Sequence, residues 1–540
     1  MMRINPIPLH NQTKIMEDYR NFNEQIQKFF SYHPFSDFHK RMKELQMRQF
    51  PREELTDLLI AMNQEWDAPQ STIHNIKRLK KDESVVVIGG QQAGLLTGPM
   101  YTINKIISIL QLAKQQEMEL GVPVIPVFWI AGEDHDFAEI NHVYLPKERK
   151  MEKFTFTAQV TEKRSVSDMI IDQEKLEIWI NKIFKQLEET EYTKDLHRQI
   201  LRCLQSATSF TDFFARLIFW LFDEEGLVLI DSHDERLREI ESPYFVKMIE
   251  KQPKINHSIQ QTIEQLKESG YDVNLDLGEN CGHLFYHGNN SRVLLTRDAS
   301  GEWVGKQNEV SLSTEQLLEI AKNRPELLSN NVVTRPLMQE CLFPSIAFIG
   351  GPGEVAYWAA LKGAFQMMDM TMPPVVPRLS FTYIDRKVEK ALHRFGLDES
   401  YAIEKGVEHF RKNWLDKKAD PPIAETVSHL KKIIAEGHEP LRDIAQNIRS
   451  DIYQLAEKNL LYLYREIDFL ENRMVKALEE KYAKEWNHFD LIQMCLKPYG
   501  GLQERIWNPL PLLNKYGKEF IRNVNNHSLT FDHGHYLVYF

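Results

Sequence analysis

An acidic segment around a histidine is the first candidate for chemistry in this sequence. It reads GEDHDFAEI and places Glu133, Asp134, His135 and Asp136 side by side. Like charges raise one another's pKa, which is how proton donors and acceptors are tuned in active sites. We predict that Asp134, His135 and Asp136 are catalytic and that Glu133 contacts the substrate. This acidic segment could accept a proton from an amine, hold an ammonium group or bind Mg²⁺. A solvated loop with helix-capping carboxylates is the structural alternative.

A glycine-rich stretch, VVVIGGQQAGLLTGPMYTINK at 85–105, is the second candidate. Its branched residues predict a buried parallel strand, and Pro99 suits the start of a helix whose free N–H groups favour an anion. We expect ligand contacts from Gln91, Gln92, Gly94, Thr97, Gly98 and Lys105. The string matches neither G-x-G-x-x-G nor a P-loop, so neither NAD binding nor P-loop phosphate binding is indicated. A tight turn could equally explain the glycines, and a solvated helix face could explain Lys105.

In three later segments, as in the two above, a predicted strand is followed directly by polar residues or glycines. They read LIDSHD, FIGGPGEVAYW and VVPRLSFT. The substrate contacts predicted from them are Asp231, Gly351, Gly353, Glu354, Tyr357, Arg378 and Ser380. In the second segment, the glycines could be present only because the turn requires them. For Arg378, a position on the protein surface is as compatible with the sequence as a substrate contact.

The elements that must position these residues alternate between strands and helices. Strands are predicted near 85–90, 124–131, 227–231 and 345–349, which indicates a parallel sheet with right-handed crossovers. The carboxyl ends of such strands open on one crevice, so we expect the candidate residues to meet there. Residues 1–80 are predicted to form a helical covering layer, and short antiparallel strands are predicted within 283–306.

From 386 to 490 the sequence becomes charged and helical. Apolar residues recur there at spacings of four and three, which is typical of a coiled coil. They are Ala456, Leu460, Leu463, Ile467, Leu470, Met474 and Ala477. We predict one helix from about 440 to 486, paired either with 386–415 of the same chain or with a second copy. Residues 491–540 are expected to return to the core.

Composition excludes several classes of protein. The net charge of -11 and the isoelectric point near 6.0 argue against nucleic-acid binding. No signal peptide or membrane-spanning stretch is recognised, so a cytoplasmic protein is expected. The four cysteines form no C-x-x-C pair, and packing explains Cys281 and His283 better than metal binding does. No metal site is predicted.

The motifs resemble those of a known family. GGQQAGLLTGPMYTINK, FWIAGEDHDFAEI, FIGGPGEVAYWA and VVPRLSFT, in this order and followed by the coiled-coil segment, are similar to the bacillithiol biosynthesis cysteine-adding enzyme family, BshC. The resemblance covers essentially the whole chain.

The resemblance implies a fold and a reaction. The fold would be a Rossmann-like core of the class I aminoacyl-tRNA-synthetase type with connecting-peptide insertions at about 140–225 and 245–340. The core would span 1–385, and a coiled coil at 386–490 would form a homodimer. The reaction would join L-cysteine to the amino group of glucosaminyl malate. The H-I-G-H and K-M-S-K-S motifs of class I aminoacyl-tRNA synthetases do not occur in this sequence. The segments LTGP and PRLS lie at roughly corresponding places, and the correspondence of their roles is an analogy only.

This reaction sets chemical requirements. A carboxylate is a poor acyl donor, so the cysteine carboxyl must be activated, and ATP or another nucleotide is the expected energy source. The amine must lose a proton, which Asp134, His135 or Asp136 would accept. The glycine loop would hold a phosphate or the malate carboxylates.

Two other functions remain open from the sequence. One is an adenylating ligase of another amino acid, and the other is a coiled-coil dimer that senses a nucleotide without catalysis. A nucleotide site at the hinge of the coiled coil is a further hypothesis, because crevices between domains often bind ligands. Its residues would be Tyr383, Ile384, Asp385, Arg386, Asp490, Arg505 and Ile506.

Overall fold

A computed structural model describes residues 2–10, 12–157, 164–275, 278, 280–288 and 291–540. The strands are β1 (Arg3–Ile7), β2 (Val85–Gln91), β3 (Val124–Ile130), β4 (His142–Lys147), β5 (Lys150–Thr155), β6 (Val228–Asp231), β7 (Cys281–Gly288), β8 (Ser291–Arg297), β9 (Trp303–Gly305), β10 (Ser311–Leu312), β11 (Leu328–Asn330), β12 (Ser345–Gly350), β13 (Val375–Pro377), β14 (Phe381–Ile384) and β15 (His535–Tyr539).

The α-helices are α1 (Lys14–Asn21), α2 (Glu24–Gln27), α3 (Phe38–Leu45), α4 (Arg52–Glu65), α5 (Gln70–Arg78), α6 (Met100–Leu120), α7 (Phe137–Ile140), α8 (Gln173–Phe184), α9 (Thr193–Gln205), α10 (Phe210–Leu221), α11 (Glu235–Glu268), α12 (Thr314–Asn323), α13 (Thr334–Leu342), α14 (Pro352–Trp358), α15 (Lys362–Met367), α16 (Arg386–Phe395), α17 (Glu399–Lys405), α18 (Glu408–Asp416), α19 (Ile423–Ile448), α20 (Ser450–Lys481), α21 (Ala483–Leu496), α22 (Gln503–Ile506), α23 (Leu510–Tyr516) and α24 (Glu519–Asn525). Short 3₁₀ turns lie at Leu95–Thr97, Val166–Asp168, Pro325–Leu327 and Pro498–Gly500.

The chain divides into two compact units. The first consists of Met1–Lys147, Glu152–Tyr383 and Gln503–Val538, and it contains the sheets. The second consists of Glu148–Met151, Ile384–Leu502 and Tyr539–Phe540, and it is mainly helical.

A five-stranded parallel sheet forms the centre of the first unit. Its order is β13-β12-β2-β3-β6, so the first strand of the sheet in the chain, β2, lies in the middle. This is the Rossmann-like arrangement, and it confirms the predicted parallel sheet. The strand order reverses beside β2, which places the topological switch point between β2 and β12, where such sheets bind ligands.

Burial explains why β2 and β3 contain almost only apolar residues. Val85, Val86, Val87 and Ile88 are each 0–1% exposed, because helices cover both faces of the sheet. The long helix α6 packs on β2 and β3 with residues such as Ile106, which is fully buried.

Two large segments interrupt the parallel sheet in sequence. The first lies between β3 and β6 and contains the β4-β5 hairpin and helices α8, α9 and α10. The second lies between β6 and β12 and contains the long helix α11 and an antiparallel sheet with the order β10-β9-β8-β7-β11. The strands predicted within 283–306 belong to this second sheet.

The N-terminal layer is helical as predicted, with one exception. Helices α1 to α5 cover the core, but β1 precedes them and forms a three-stranded sheet with β15 and β14. The prediction missed β1 because Arg3–Ile7 is short and half polar, and it forms a strand only by pairing with the distant β15.

Helices α19 and α20 form an antiparallel hairpin in the second unit. Polar pairs cross between them, including His438 Nε2 to Asn459 Oδ1 (3.1 Å) and Arg442 NH1 to Glu457 Oε1 (3.1 Å). The long helices and the parallel α/β core confirm the coarser part of the predicted fold class, a Rossmann-like sheet with a helical C-terminal region. Among the described residues, no helix is long and apolar enough to cross a membrane.

The prediction of one helix from about 440 to 486 was wrong. The chain turns at Arg449, which has an extended backbone (φ -172°, ψ 145°), and the Arg449 guanidinium holds Asp451 at 2.6 Å. The chain therefore reverses its direction upstream of Ala456. The main intramolecular partner of α20 is α19. Of the predicted partner segment 386–415, α18 also contacts α20, whereas α16 packs on α21 through the stacked rings of Phe395 and Phe489.

We predict that Gly90→Ala destabilises the core. A Cβ atom at Gly90 would lie 2.5 Å from the backbone oxygen of Trp129 on the neighbouring strand, so β2 and β3 would have to separate. Overpacking of this kind costs about 1 to 3 kcal/mol, and differential scanning calorimetry should record a lower Tm. Gly353→Ala is the matched control, because a Cβ there meets nothing within 4 Å. Equal Tm values for the two variants would contradict the explanation.

Candidate active site

A cavity of about 510 Å³ opens at the carboxyl ends of the central strands. It lies at the topological switch point, since Gln91 and Gln92 follow β2 while Gly351, Gly353 and Glu354 follow β12. The other lining residues are Gly90, Tyr101, Lys105, Trp129, Ala131, Asp134, Val332, Arg335, Pro336, Gln339, Phe348, Pro352, Tyr357, Arg378 and Arg505. The sequence analysis therefore located the crevice, although several of its predicted contacts lie elsewhere.

Lys105 connects the two loops at the switch point. It is 1% exposed, and its Nζ donates to the Gly90 carbonyl oxygen (2.6 Å), to Gln91 Oε1 (3.3 Å) and to Glu354 Oε2 (2.5 Å). Burial lowers the pKa of the Lys105 ammonium, and the charge of Glu354 opposes this effect. Glu354 Oε2 also accepts from the Gly351 N–H (2.7 Å), so a single carboxylate caps α14 and neutralises Lys105.

Asp134 is the member of the acidic segment that reaches the cavity. Its Oδ1 contacts Arg292 NH1 (3.3 Å) and Arg335 NH2 (3.4 Å), and its Oδ2 accepts from Gln92 Nε2 (3.4 Å). Its side chain is 22% exposed, which leaves it accessible to a ligand. Arg292 lies on β8 and Arg335 on α13, so both cations come from the second inserted segment.

The other three residues of the acidic segment lie outside the cavity lining. Glu133 is fully buried and contacts Arg238 NH2 (2.6 Å) and Arg335 Nε (3.4 Å), which is a structural arrangement. His135 Nδ1 lies 3.5 Å from Arg292, and Asp136 is exposed at the start of α7.

Arg378 lines the cavity as a paired cation. Its NH1 and NH2 donate to the two oxygens of Glu504 at 2.7 and 2.6 Å, so the pair is bidentate. Glu504 also accepts from Ser380 Oγ (2.9 Å) and Asn104 Nδ2 (2.7 Å). Ser380 thus supports Arg378 through Glu504 and does not itself line the cavity.

A second, smaller cavity of about 30 Å³ adjoins the large one. Gln91, Gln92 and Tyr101 line both cavities, and Gly94, Gly98 and Ile506 line only the smaller. Thr97 is buried in the turn between those glycines with a positive φ of 72°, and it does not line either cavity. Asn508 Nδ2 holds this turn by donating to the carbonyl oxygens of Leu96 (2.9 Å) and Gly98 (2.7 Å).

Asp231 belongs to a different polar cluster. Its carboxylate accepts from Ser167 Oγ (2.6 Å) and from the His233 N–H (3.0 Å), while His233 Nε2 lies 2.9 Å from Asp168. Burial raises the pKa of Asp231 to about 6, against the lowering effect of His233. The Asp168 carboxylate outweighs the effect of burial on His233 and raises the pKa of that imidazole.

The residues of the hinge hypothesis are distributed as follows. Tyr383 is buried and donates to Asn104 Oδ1 (3.1 Å), and Ile384 is fully buried. Asp385 caps α16 by accepting from the Lys387 N–H (2.7 Å), and Arg386 Nε donates to the Phe540 carbonyl oxygen (3.3 Å). In the second unit, Asp490 accepts from Arg411 NH1 (2.7 Å). Arg505 and Ile506 line cavities of the first unit, and the proposed nucleotide binding stays a prediction.

The sequence analysis missed several residues that line the cavity. Tyr101, Trp129, Phe348 and Gln339 lie on strands or helices of the core and read as packing residues, and Arg335 lies in TRPLMQE, which matches no motif. Trp129 has one feature that would suit a ligand contact. Its indole Nε1 is buried and has no hydrogen-bond partner in the described part of the chain.

The electrostatic character of the cavity follows from its lining. Lys105, Arg335, Arg378 and Arg505 are cationic, whereas only Asp134 and Glu354 carry carboxylates. Arg505 is exposed and has neither a hydrogen bond nor an ion pair with any described residue. The cavity therefore suits an anionic ligand. No group of three or more potential metal ligands occurs among residues that the structure describes.

Fold and site together define a Rossmann-like protein with a cation-rich cavity at its switch point and a helical C-terminal unit. The profile of the BshC N-terminal Rossmann-like domain in bacillithiol biosynthesis matches residues 2–379, and that of the BshC C-terminal coiled-coil domain matches residues 381–540. The chain belongs to the bacillithiol biosynthesis BshC family, as the sequence motifs predicted.

Curated relatives agree with this assignment over their whole length. A protein of Oceanobacillus iheyensis is 42% identical over 100% of both chains, and one of a Geobacillus species is 41% identical over 100% of both. A Bacillus cereus protein is 41% identical over 98% of both chains. All three are named cysteine ligase BshC. The present chain is accordingly a ligase, and the alternative of a non-catalytic sensor is wrong.

We predict that the titration of Asp231 lowers the free energy of unfolding as the pH rises from about 4 to about 6. Its folded pKa of about 6 exceeds the ordinary value of 3.8, so folding favours the protonated carboxyl, and that stabilisation is lost as the pH passes the folded pKa. The shift corresponds to roughly 2 to 3 kcal/mol. Urea unfolding from pH 4 to 7 should show a shallower decline in Asp231→Asn than in the wild type. Identical pH profiles would contradict the assignment.

Proposed function

We propose that this ligase joins the carboxyl group of L-cysteine to the amino group of glucosaminyl malate, the last step of bacillithiol biosynthesis. The observation that carries the proposal is the cation-rich cavity at the switch point, into which a single carboxylate of the acidic segment, Asp134, opens. Family membership and the names of the relatives support cysteine as the donor.

The cations of the cavity account for recognition of the malate group. Malate carries two carboxylates, and Arg505 offers an exposed guanidinium that no other described side chain neutralises. Arg378 lies deeper, and Glu504 already occupies both of its terminal nitrogens, so Arg505 is the guanidinium that we propose binds the malate carboxylates. Bidentate contact with a carboxylate is the geometry that guanidinium groups favour.

Asp134 is the proposed general base. In the amide-forming step the amine nitrogen attacks the cysteine carbonyl carbon, a C–N bond forms, the bond to the leaving oxygen breaks, and the amine loses a proton. Among the described residues, Asp134 Oδ2 accepts a hydrogen bond only from the side-chain amide of Gln92. It is therefore the oxygen that we propose accepts the amine proton. Arg292 and Arg335 hold the other oxygen and so orient the carboxylate.

Activation of the cysteine carboxyl requires an energy source, for which we propose ATP. A nucleotide supplies a phosphoryl or adenylyl group that turns the carboxyl oxygen into a leaving group. Lys105 and Arg335 are the cationic groups in the cavity that we propose contact the phosphate oxygens. An adenylating ligase of another amino acid would use the same groups, and assays with other amino acids would distinguish it. We further propose a cytoplasmic location, without nucleic-acid partners.

A homodimer through the helical hairpin is the proposed assembly. Leu441, Ile444 and Ile448 of α19 are 57–66% exposed, and Leu463 and Leu470 of α20 are 40% and 58% exposed. These residues recur at heptad spacing but point away from the interface between the two helices. A second hairpin is the partner that would cover such a repeat.

Asp134→Asn tests the proposed base. We expect kcat to fall about 10²- to 10⁴-fold, because the amide cannot accept the amine proton. Calorimetry with glucosaminyl malate, followed by addition of ATP and cysteine and mass spectrometry of the mixture, measures binding and product separately. Asp195→Asn is the matched control, since its carboxylate is 78% exposed and lies on α9.

Three outcomes would contradict the proposals. Near-normal turnover in Asp134→Asn and in His135→Ala, made separately, would remove the acidic segment from the mechanism. Binding of glucosaminyl malate without product would contradict activation by ATP on this chain. Absence of binding would contradict the substrate.

The assembly gives a separate prediction. Leu463→Glu combined with Leu470→Glu should convert the dimer to a monomer, because two charges would be buried in the interface. Light scattering after size-exclusion chromatography measures the mass, and Lys432→Glu is a control on an exposed polar position. A monomeric wild type or a dimeric double variant would contradict the proposal.

A further inference from the structure

The small cavity beside the large one has the size of a short side chain. Its volume is about 30 Å³, and roughly 10 to 15 Å³ suffices for one water-sized atom. It can therefore hold about two heavy atoms, which is the number in the side chain of cysteine.

The walls of the small cavity combine aliphatic surface with a threonine hydroxyl. Ile140, Val143 and Ile506 supply aliphatic surface, and Gly98 brings backbone close to the space. Thr102 also lines the cavity and is 1% exposed as a residue. Its hydroxyl is therefore available to bond to a ligand or a water in this space.

Two carboxylates lie where the small cavity meets the large one. Gln92 Nε2 donates to Glu139 Oε2 (2.8 Å) and contacts Asp134 Oδ2 (3.4 Å), so one amide nitrogen lies between two negative charges. Glu139 lines the small cavity and Asp134 the large one. An ammonium group at this junction would be attracted by both carboxylates.

We infer that the small cavity binds the side chain of the amino-acid substrate, with its ammonium group at the junction of Asp134 and Glu139 and its carboxyl group in the large cavity. The inference rests on the proposed function and adds the position and selectivity of the amino acid. The Thr102 hydroxyl bonds to the thiol, and the size of the cavity excludes side chains longer than two heavy atoms.

The arrangement explains how the two substrates are kept apart. Three residues, Gln91, Gln92 and Tyr101, line both cavities and form the passage between them. An amino acid whose side chain enters the small cavity directs its carboxyl group toward Lys105 and Arg335 in the large cavity. These two cations would attract the carboxylate and the phosphate groups. The amine of the second substrate then meets this carboxyl beside Asp134.

Thr102→Val and Val143→Ala test the inference. Thr102→Val keeps the shape and removes the hydroxyl, and it should raise the KM for L-cysteine roughly 3- to 10-fold. Val143→Ala enlarges the space, and the ratio of kcat/KM for L-norvaline to that for L-cysteine should rise at least about tenfold. Neither change should alter calorimetric binding of glucosaminyl malate. Thr262→Val, which removes a hydroxyl on α11, is the matched control.

The outcomes separate this inference from the proposed function. Product formation by the wild type together with unchanged cysteine KM and unchanged amino-acid preference in both variants would overturn the inference alone. If the wild type makes no product, the proposed function fails, and direct calorimetry with L-cysteine decides the inference. Weaker cysteine binding by Thr102→Val than by the wild type and Thr262→Val would support it, and equal binding would overturn it. Because Thr102→Val is isosteric, the test does not depend on the folding of Val143→Ala.

Discussion

The buried ion pair of Lys105 and Glu354 is the interaction on which the site depends. An ammonium group with 1% exposure is tolerated only when it is paired and hydrogen-bonded, and Lys105 meets this condition with groups from two different strand ends. It holds the end of β2 to the start of α14 across the point where the strand order reverses. Loss of Glu354 would leave the buried Lys105 ammonium without its counter-charge, and loss of Lys105 would remove the link between the two loops.

The acidic segment is held by cations from distant parts of the chain. Arg292 from β8, Arg335 from α13 and Arg238 from α11 surround Glu133 and Asp134, and Arg292 also lies over the Phe285 ring at 3.7 Å. Glu133 satisfies the buried arginines, while Asp134 is left accessible. Adjacent carboxylates of the same segment thus have separate roles, one structural and one proposed as chemical. The second inserted segment matters to the site because it carries these three arginines.

The sequence predicted the parallel sheet, the glycine turns and the edge of the sheet where a ligand would bind, because these depend on local patterns of apolar residues and glycine. Which acidic residue faces the cavity was not predictable, since Glu133, Asp134, His135 and Asp136 differ only in tertiary contacts. Arg335 and Trp129 lack any motif, and their positions depend on packing between distant elements. The helical hairpin was missed for a related reason. A heptad repeat indicates that a helix has a partner, but the turn at Arg449 decides which one.

The pairing of Arg378 with Glu504 affects the order in which a new chain can complete its site. The elements that carry Lys105, Asp134 and Glu354 are synthesised well before Gln503–Ile506, and Glu504 neutralises the Arg378 guanidinium, which is already part of the core by then. Until that segment emerges from the ribosome, Arg378 has no described carboxylate partner and the turn at Leu95–Thr97 lacks Asn508. A nascent chain therefore carries an incomplete cavity until this late segment has been made.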